Sequence, residues 1–206
     1  VIIDNYPENK TEEIDIDINP SKPEKGKRAV TFSREIFIEQ DDFMLDPPSK
    51  YFRLCPQKEV RLKSAYYIKY ASHETDENGN ITAVHCTYDP ESYGGDTKDG
   101  RKVKGTLHWV NANNCINAEV RLYDRLFNVP NPSDEEGVTS FADNLNPDSL
   151  KILNGCKLDK SLGGVKAGDT FQFMRQGYFC VDTDSTADRL VFNRTVALKD
   201  SFAKKA

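Results

Sequence analysis

The sequence predicts an all-β protein, and three observations carry that expectation. From Thr31 onward the apolar residues fall in short runs rich in Val, Ile, Tyr and Phe; each run is closed by Gly, Pro, Asn or Asp; and helical periodicity is scarce. Many short antiparallel strands with turn signals between them argue for barrels or sandwiches, and 206 residues allow one or two domains.

Residues 1–29 alternate acidic and basic groups around Pro20 and Pro23, with little apolar periodicity after Ile3, and read as an irregular lead-in. Strands are expected at residues 35–39, 59–70, 81–88, 102–110, 118–127, 170–181 and 190–198. The segment joining 59–70 to 81–88 contains Asn78-Gly79, which suits the positive φ angles of a type I′ turn and predicts an antiparallel hairpin. Within 102–110, Val103, Gly105, Leu107 and Trp109 alternate with Lys104, Thr106 and His108, giving one apolar and one wet face. Residues 41–45 and 147–153 could form short turns or helices, with Asn146 as candidate N-cap of the latter. The polar stretch 111–117 is the expected break between domains, and 130–143 reads as an acidic loop.

Composition excludes several classes. A formal charge of -5, from 28 Lys+Arg against 33 Asp+Glu, removes the simplest argument for nucleic-acid binding, a strongly basic domain. Hydrophobic residues at 37% suffice for a packed core. There is no run approaching the roughly 20 apolar residues of a membrane span, and VIIDNYPENK lacks a basic n-region and cleavage site, so a soluble, cytoplasmic chain is expected. Starting at Val1 rather than Met, it reads as a piece of something longer. Cys55, Cys86, Cys115, Cys156 and Cys180 form no CxxC, and His73, His85 and His108 form no HxxxH; reduced, mostly buried thiols are expected, with neither zinc nor a disulfide framework.

No phosphate loop or nucleophile elbow occurs; Gly94-Gly95 and Gly163-Gly164 are isolated pairs. Glu39, Asp124, Asp182 and Asp184 are explained more cheaply by solvation than by acid–base work, and His85 beside Cys86 would point to the opposite strand face. Charge placement is more informative. Between residues 50 and 69, Lys50, Arg53, Lys58, Arg61, Lys63 and Lys69 stand against Glu59 alone, a local balance of +5, interleaved with Tyr51, Phe52, Tyr66, Tyr67 and Tyr70. Single-stranded RNA recognition requires such a surface: guanidinium forks for base edges and phosphates, rings for splayed bases. Arg61 and Lys63 share a strand face, with Arg53 arriving from the preceding loop. The pattern alone still favours a solvated strand face. Lys98, Arg101, Lys102 and Lys104 form a second cluster against Asp99, read alone as an exposed hairpin. On 170–181, Gln172, Met174 and Gln176 share one face and Phe171, Phe173 and Arg175 the other, unless a bulge intervenes.

Together the stretches IDNYPENK, NPSKPEKGKR, FSREIFIEQDDF, YFRLCPQKEVRLKSAYYIKY, ITAVHCTYDPES, DGRKVKGTLHWV, AEVRLYDRLFNVPNP, NPDSLKIL, FQFMRQGYFCVD and VFNRTVALKD resemble, in order and spacing, the C-terminal anticodon-binding region of the glutaminyl-tRNA synthetases. The resemblance implies two antiparallel β-barrels, similar to the ribosomal L25 type, with short helical turns: a distal barrel at 30–110 and a proximal one at 111–206, on which the lead-in would pack. It implies a monomeric, non-catalytic fragment that grips the anticodon loop of a glutamine tRNA and serves an upstream catalytic domain using ATP and Mg2+. Carried over by position, Arg61 contacts the first anticodon base, Arg53 the third, and Gln172 and Arg175 the middle one. Lys50, Lys63, Lys102 and Lys104 are auxiliary candidates. Phe52 and Met174 stand where a member of the family carries a lysine and an acid. The β-barrel region of an archaeal or eukaryotic-type glutamyl-tRNA synthetase and a general L25-like RNA-binding module are the alternatives.

Overall fold

The structure, a computed structural model, describes residues 1–95, 97, 99–133 and 140–198. The chain divides into two compact units, Val1–Cys115 and Ile116–Ala206.

The first unit holds β1 (Ile2–Ile3), β2 (Glu12–Asp17), β3 (Lys27–Phe32), β4 (Ile36–Phe37), β5 (Glu59–Leu62), β6 (Tyr67–Thr75), β7 (Ile81–Asp89), β8 (Thr106–Leu107) and β9 (Val110–Asn111). A curled five-stranded sheet runs β1-β7-β6-β5-β8, accompanied by the pairs β2-β3 and β4-β9. The β1–β7 and β5–β8 pairings are parallel, whereas the β6–β7 hairpin and the long-range β4–β9 pair keep the expected antiparallel pattern. Alternation explains the faces: Val60 and Leu62 are buried while Glu59 and Arg61 are half-exposed. The core is aromatic: the Phe32 ring meets Tyr6 at 5.2 Å and Trp109 at 5.0 Å edge-on, and Tyr66 meets Tyr88 at 5.0 Å.

The second unit holds β10 (Cys115–Tyr123), β11 (Leu150–Asp159), β12 (Thr170–Phe173), β13 (Gly177–Val181) and β14 (Leu190–Ala197), in the order β11-β10-β14-β13-β12 with β10 and β14 parallel. Ala118, Val120, Phe179, Val181, Leu190 and Phe192 form its core, with the Phe173 and Phe179 rings stacked at 4.3 Å.

The all-β expectation is met, and several local readings are corrected. Residues 1–29 are not an irregular lead-in. Ile14 and Ile16 alternate inward on β2, and with Ile3 and Tyr6 they complete the first unit's core. Their short period was masked by the flanking charges. The 59–70 run is two strands, separated by a turn with Ser64 at φ 59°. Only Thr106–Leu107 and Val110–Asn111 of 102–110 are strand, because the chain passes through Gly105 at φ 99°. The 78–79 hairpin is present without a type I′ turn. Among the described residues only Lys50, Gln57, Ser64 and Arg175 are non-glycines with positive φ, so Asn78 is excluded. Instead Gly79 alone is left-handed, the Asp76 carboxylate accepts from the backbone N–H of Asn78 and Asn80, and Asp76 N–H donates to Asn80 O, a bulged turn. Residues 147–153 are not helical. Asn146 closes a turn with Ser149, and Leu150 begins a ten-residue strand. The break between Cys115 and Ile116 falls within the expected 111–117 stretch, and its first residues go with the first unit: Asn111 is buried and its amide donates to Thr31 O.

Candidate nucleic-acid interface

In the first unit the basic residues converge around Gly105. An added Cβ there would lie 2.0 Å from Phe52 O, so the loop bearing Phe52 and Arg53 crosses directly over Gly105. Gly105 O in turn accepts from Arg61 N–H at 3.0 Å. Three backbones, from the 50–54 loop, residue 105 and β5, are thereby neighbours, which brings the chain positions of Arg53, Lys104 and Arg61 near one another. Lys104 lies 5.5 Å from the Phe52 ring, which is 50% exposed and so open to a stacked base. Lys50 and Lys102 are exposed, and Lys63 is half-buried with its carbonyl accepting from the Trp109 indole. Lys98 lies outside the described residues.

The arginines differ in what they touch. Arg53 Nη1 pairs at 2.9 Å with Asp42, whose side chain is fully buried, and donates to Asp41 O at 3.1 Å, a carbonyl that also accepts from the Tyr51 hydroxyl. It is pinned to the Gln40–Asp42 turn. Arg101 is wholly engaged: Glu59 takes Nε and Nη2, Asp89 takes Nη2 at 2.6 Å, and Asp99 takes Nη1 at 2.8 Å. Thr97 and Arg101 hold Asp99 down at about 2, and Arg101 likewise lowers Asp89. Arg61 has no carboxylate within ion-pair distance among the described residues. Its Nη2 donates to the Tyr67 hydroxyl at 3.3 Å, and its Nε is buried without a hydrogen-bond partner, which costs about 1–3 kcal/mol.

The aromatic interleaving reads differently in three dimensions. Tyr66 and Tyr67 are core residues, 5% and 2% exposed, and Tyr70 stacks on Phe43 at 5.6 Å. They support the surface from below and are not stacking platforms. Phe52 is the exposed ring.

In the second unit, Gln172 is exposed on β12 and pairs in register with Tyr178 on β13, itself 45% exposed. Between these strands, Phe173 O accepts from Gln176 N–H at 2.9 Å and Arg175 stands at φ 64°. The 170–181 run is therefore a hairpin rather than one strand, and the face assignment made for Met174, Arg175 and Gln176 does not apply. A non-glycine residue held left-handed at a turn is a feature concentrated at binding sites.

The carboxylates considered for acid–base work are occupied. Asp182 accepts from Asn193 and pairs with Arg121 at 3.4 Å, as does Asp184 at 2.9 Å. His85 bridges Asp4 at 2.8 Å and Glu74 at 3.0 Å, which raises its pKa, while the neighbouring Cys86 is buried and its thiol pushed up to about 12. Two cysteines are buried and three half-buried, all as free thiols.

β-units that gather cationic and amide side chains at sheet edges and hairpin tips suit the class of anticodon-binding domains, and sequence comparison places the chain there. Residues 1–89 and 106–182 each match a family described as the anticodon-binding domain of tRNA synthetases class I (E and Q), and the chain belongs to it. Glutamine--tRNA ligases are its similar curated relatives: that of Vibrio parahaemolyticus is 51% identical over 99% of this chain, that of Clostridium perfringens 51% over 100%, and that of Nitrobacter winogradskyi 48% over 100%. The chain spans 36–37% of the length of these relatives. Among the described residues no helix is long and apolar enough to cross a membrane.

Proposed function

We propose that this chain reads the anticodon loop of a glutamine tRNA on behalf of an ATP-dependent ligase that esterifies glutamine to that tRNA. The catalytic chemistry, with its ATP and Mg2+, belongs to the portion of the relatives that the chain does not span. Arg61 takes the first anticodon base, Arg53 the third, and Gln172 with Arg175 the middle one, with Lys50, Lys63, Lys102 and Lys104 as auxiliary phosphate contacts. The protein works as a cytoplasmic monomer. The observation that carries the reading is the contrast among three arginines of the first unit: Arg53 and Arg101 are paired with carboxylates, whereas Arg61, its Nε buried, has none among the described residues. A guanidinium in that state gains most from a base edge or phosphate.

Retardation of tRNA transcripts by the polypeptide tests this. A glutamine transcript should be held in preference to a glutamate one, and Arg53→Ala, at the third-base position where the two anticodons differ, should abolish that preference, while Arg61→Ala should weaken retention of both. Preference for the glutamate transcript would transfer the chain to the other branch of the family, and equal retardation of both would leave it a general RNA-binding module.

A further inference from the structure

We infer that Tyr67 is a positioning residue for Arg61, a role that rests on the assignment of Arg61 to the first anticodon base. Arg61 and Tyr67 are directly opposed in the antiparallel β5–β6 pair and so share a face. The Arg61 guanidinium lies 5.5 Å from the Tyr67 ring centre, and its Nη2 donates to the Tyr67 hydroxyl. That hydroxyl spends its own proton on Gly95 O at 2.6 Å. The other wall of the slot is Gly95 itself, at φ 92°, where an added Cβ would come within 2.8 Å of Arg61 Cδ and Nε. Arg61 is thus held between a backbone with no side chain and a phenol anchored to that same backbone.

The slot shuts Nε away from water without giving it a partner, and Nη1 has no hydrogen-bond partner within the chain among the described residues. With Nη2 holding the Tyr67 hydroxyl and Nε enclosed, Nη1 is the donor held ready for a ligand. Arg101 supports the arrangement from beneath: it also lies 5.5 Å from the Tyr67 ring, and Glu59, Asp89 and Asp99 neutralise its charge, so it does not drive Arg61 away. Holding a fork in its binding geometry removes an ordering cost that a mobile arginine would meet on each encounter.

The test is a mutant cycle in the full natural polypeptide that carries these residues. RNA hairpins presenting the anticodon loop of a glutamine tRNA, with each of the four bases at the first anticodon position, serve as probes. Tyr67→Phe keeps the ring and removes both hydroxyl bonds. It should reduce the ratio of affinities between best and worst base by about ten-fold, part of the range that one bidentate contact supplies, and have no further effect beside Arg61→Ala. Gly95→Ala, which acts on Arg61 from the opposite wall, should reduce the same ratio. Thermal unfolding of each variant separates this from loss of fold. Loss with Arg61→Ala but none with Tyr67→Phe overturns the positioning role alone. An equal effect of Tyr67→Phe in both backgrounds overturns it too, since Tyr67 would then act on the fold. No loss with Arg61→Ala removes the base assignment and this inference with it.

Discussion

Arg53 and Arg61 stand eight positions apart in the sequence and look interchangeable there, yet they meet opposite surroundings. Removal of Arg53 takes an ion-pair partner from the buried Asp42 carboxylate, so Arg53→Ala should lower stability by about 1–3 kcal/mol as well as weaken RNA binding. Removal of Arg61 discards a guanidinium whose Nε is desolvated and unpaired, so Arg61→Ala should leave the urea midpoint nearly unchanged while costing about 1–3 kcal/mol of base discrimination. Urea unfolding of the two variants side by side checks the contrast. Gly105 is the third decisive residue: with Phe52 O 2.0 Å from its would-be Cβ, Gly105→Ala should destabilise the unit by at least about 1–3 kcal/mol and displace Arg53. The positive balance of 50–69 was legible in the sequence. Which arginine was left uncommitted was not, because Asp42 and Asp89 come from other segments and Glu59 of the first cluster pairs with Arg101 of the second. Gly94-Gly95, set aside as a failed phosphate loop, matters instead as a wall of the Arg61 slot.

Strand composition and turn residues marked most elements, and the misreadings share a cause. Runs such as 59–70 and 170–181 stay apolar through a tight turn, so periodicity alone cannot find the reversal; the chain turns at Ser64 and Arg175 at the expense of left-handed backbone. Arg175→Gly should relieve that conformation and raise the second unit's stability by up to about 1 kcal/mol while weakening RNA binding, a trade-off readable by denaturation and retardation together. The strand at Leu150–Asp159 was hidden because Asn146 resembles a helix cap but closes a turn. His85 clips β7 to Asp4 beyond β1 and to Glu74 on β6. Asp4 first and Glu74 second raise its pKa above the usual 6.5, so the charged form is favoured by folding. That contribution is complete below pH 6.5 and is lost as pH rises through the raised folded value. The gap in thermal midpoint between the native chain and His85→Gln should therefore close between about pH 6 and pH 8.

For the whole molecule, a net charge of -5 coexists with a local +5 at 50–69, and the structure shows why neither figure decides binding. Arg53 and Arg101 already have carboxylate partners, which takes two arginines out of that local positive balance and its neighbouring cluster. Long-range attraction should be modest, with affinity falling only shallowly with salt, about one to three counterions released. The proposed function assigns recognition to local reading of unstacked bases by two units, each with its own core. The most direct measurement is the affinity of the natural polypeptide for a glutamine-tRNA anticodon hairpin and for hairpins with one anticodon base replaced at a time. A loss of about five-fold or more at each of the three positions is expected, from the 1–3 kcal/mol that a base-specific contact supplies. Equal affinity for all these hairpins would contradict anticodon reading by this chain.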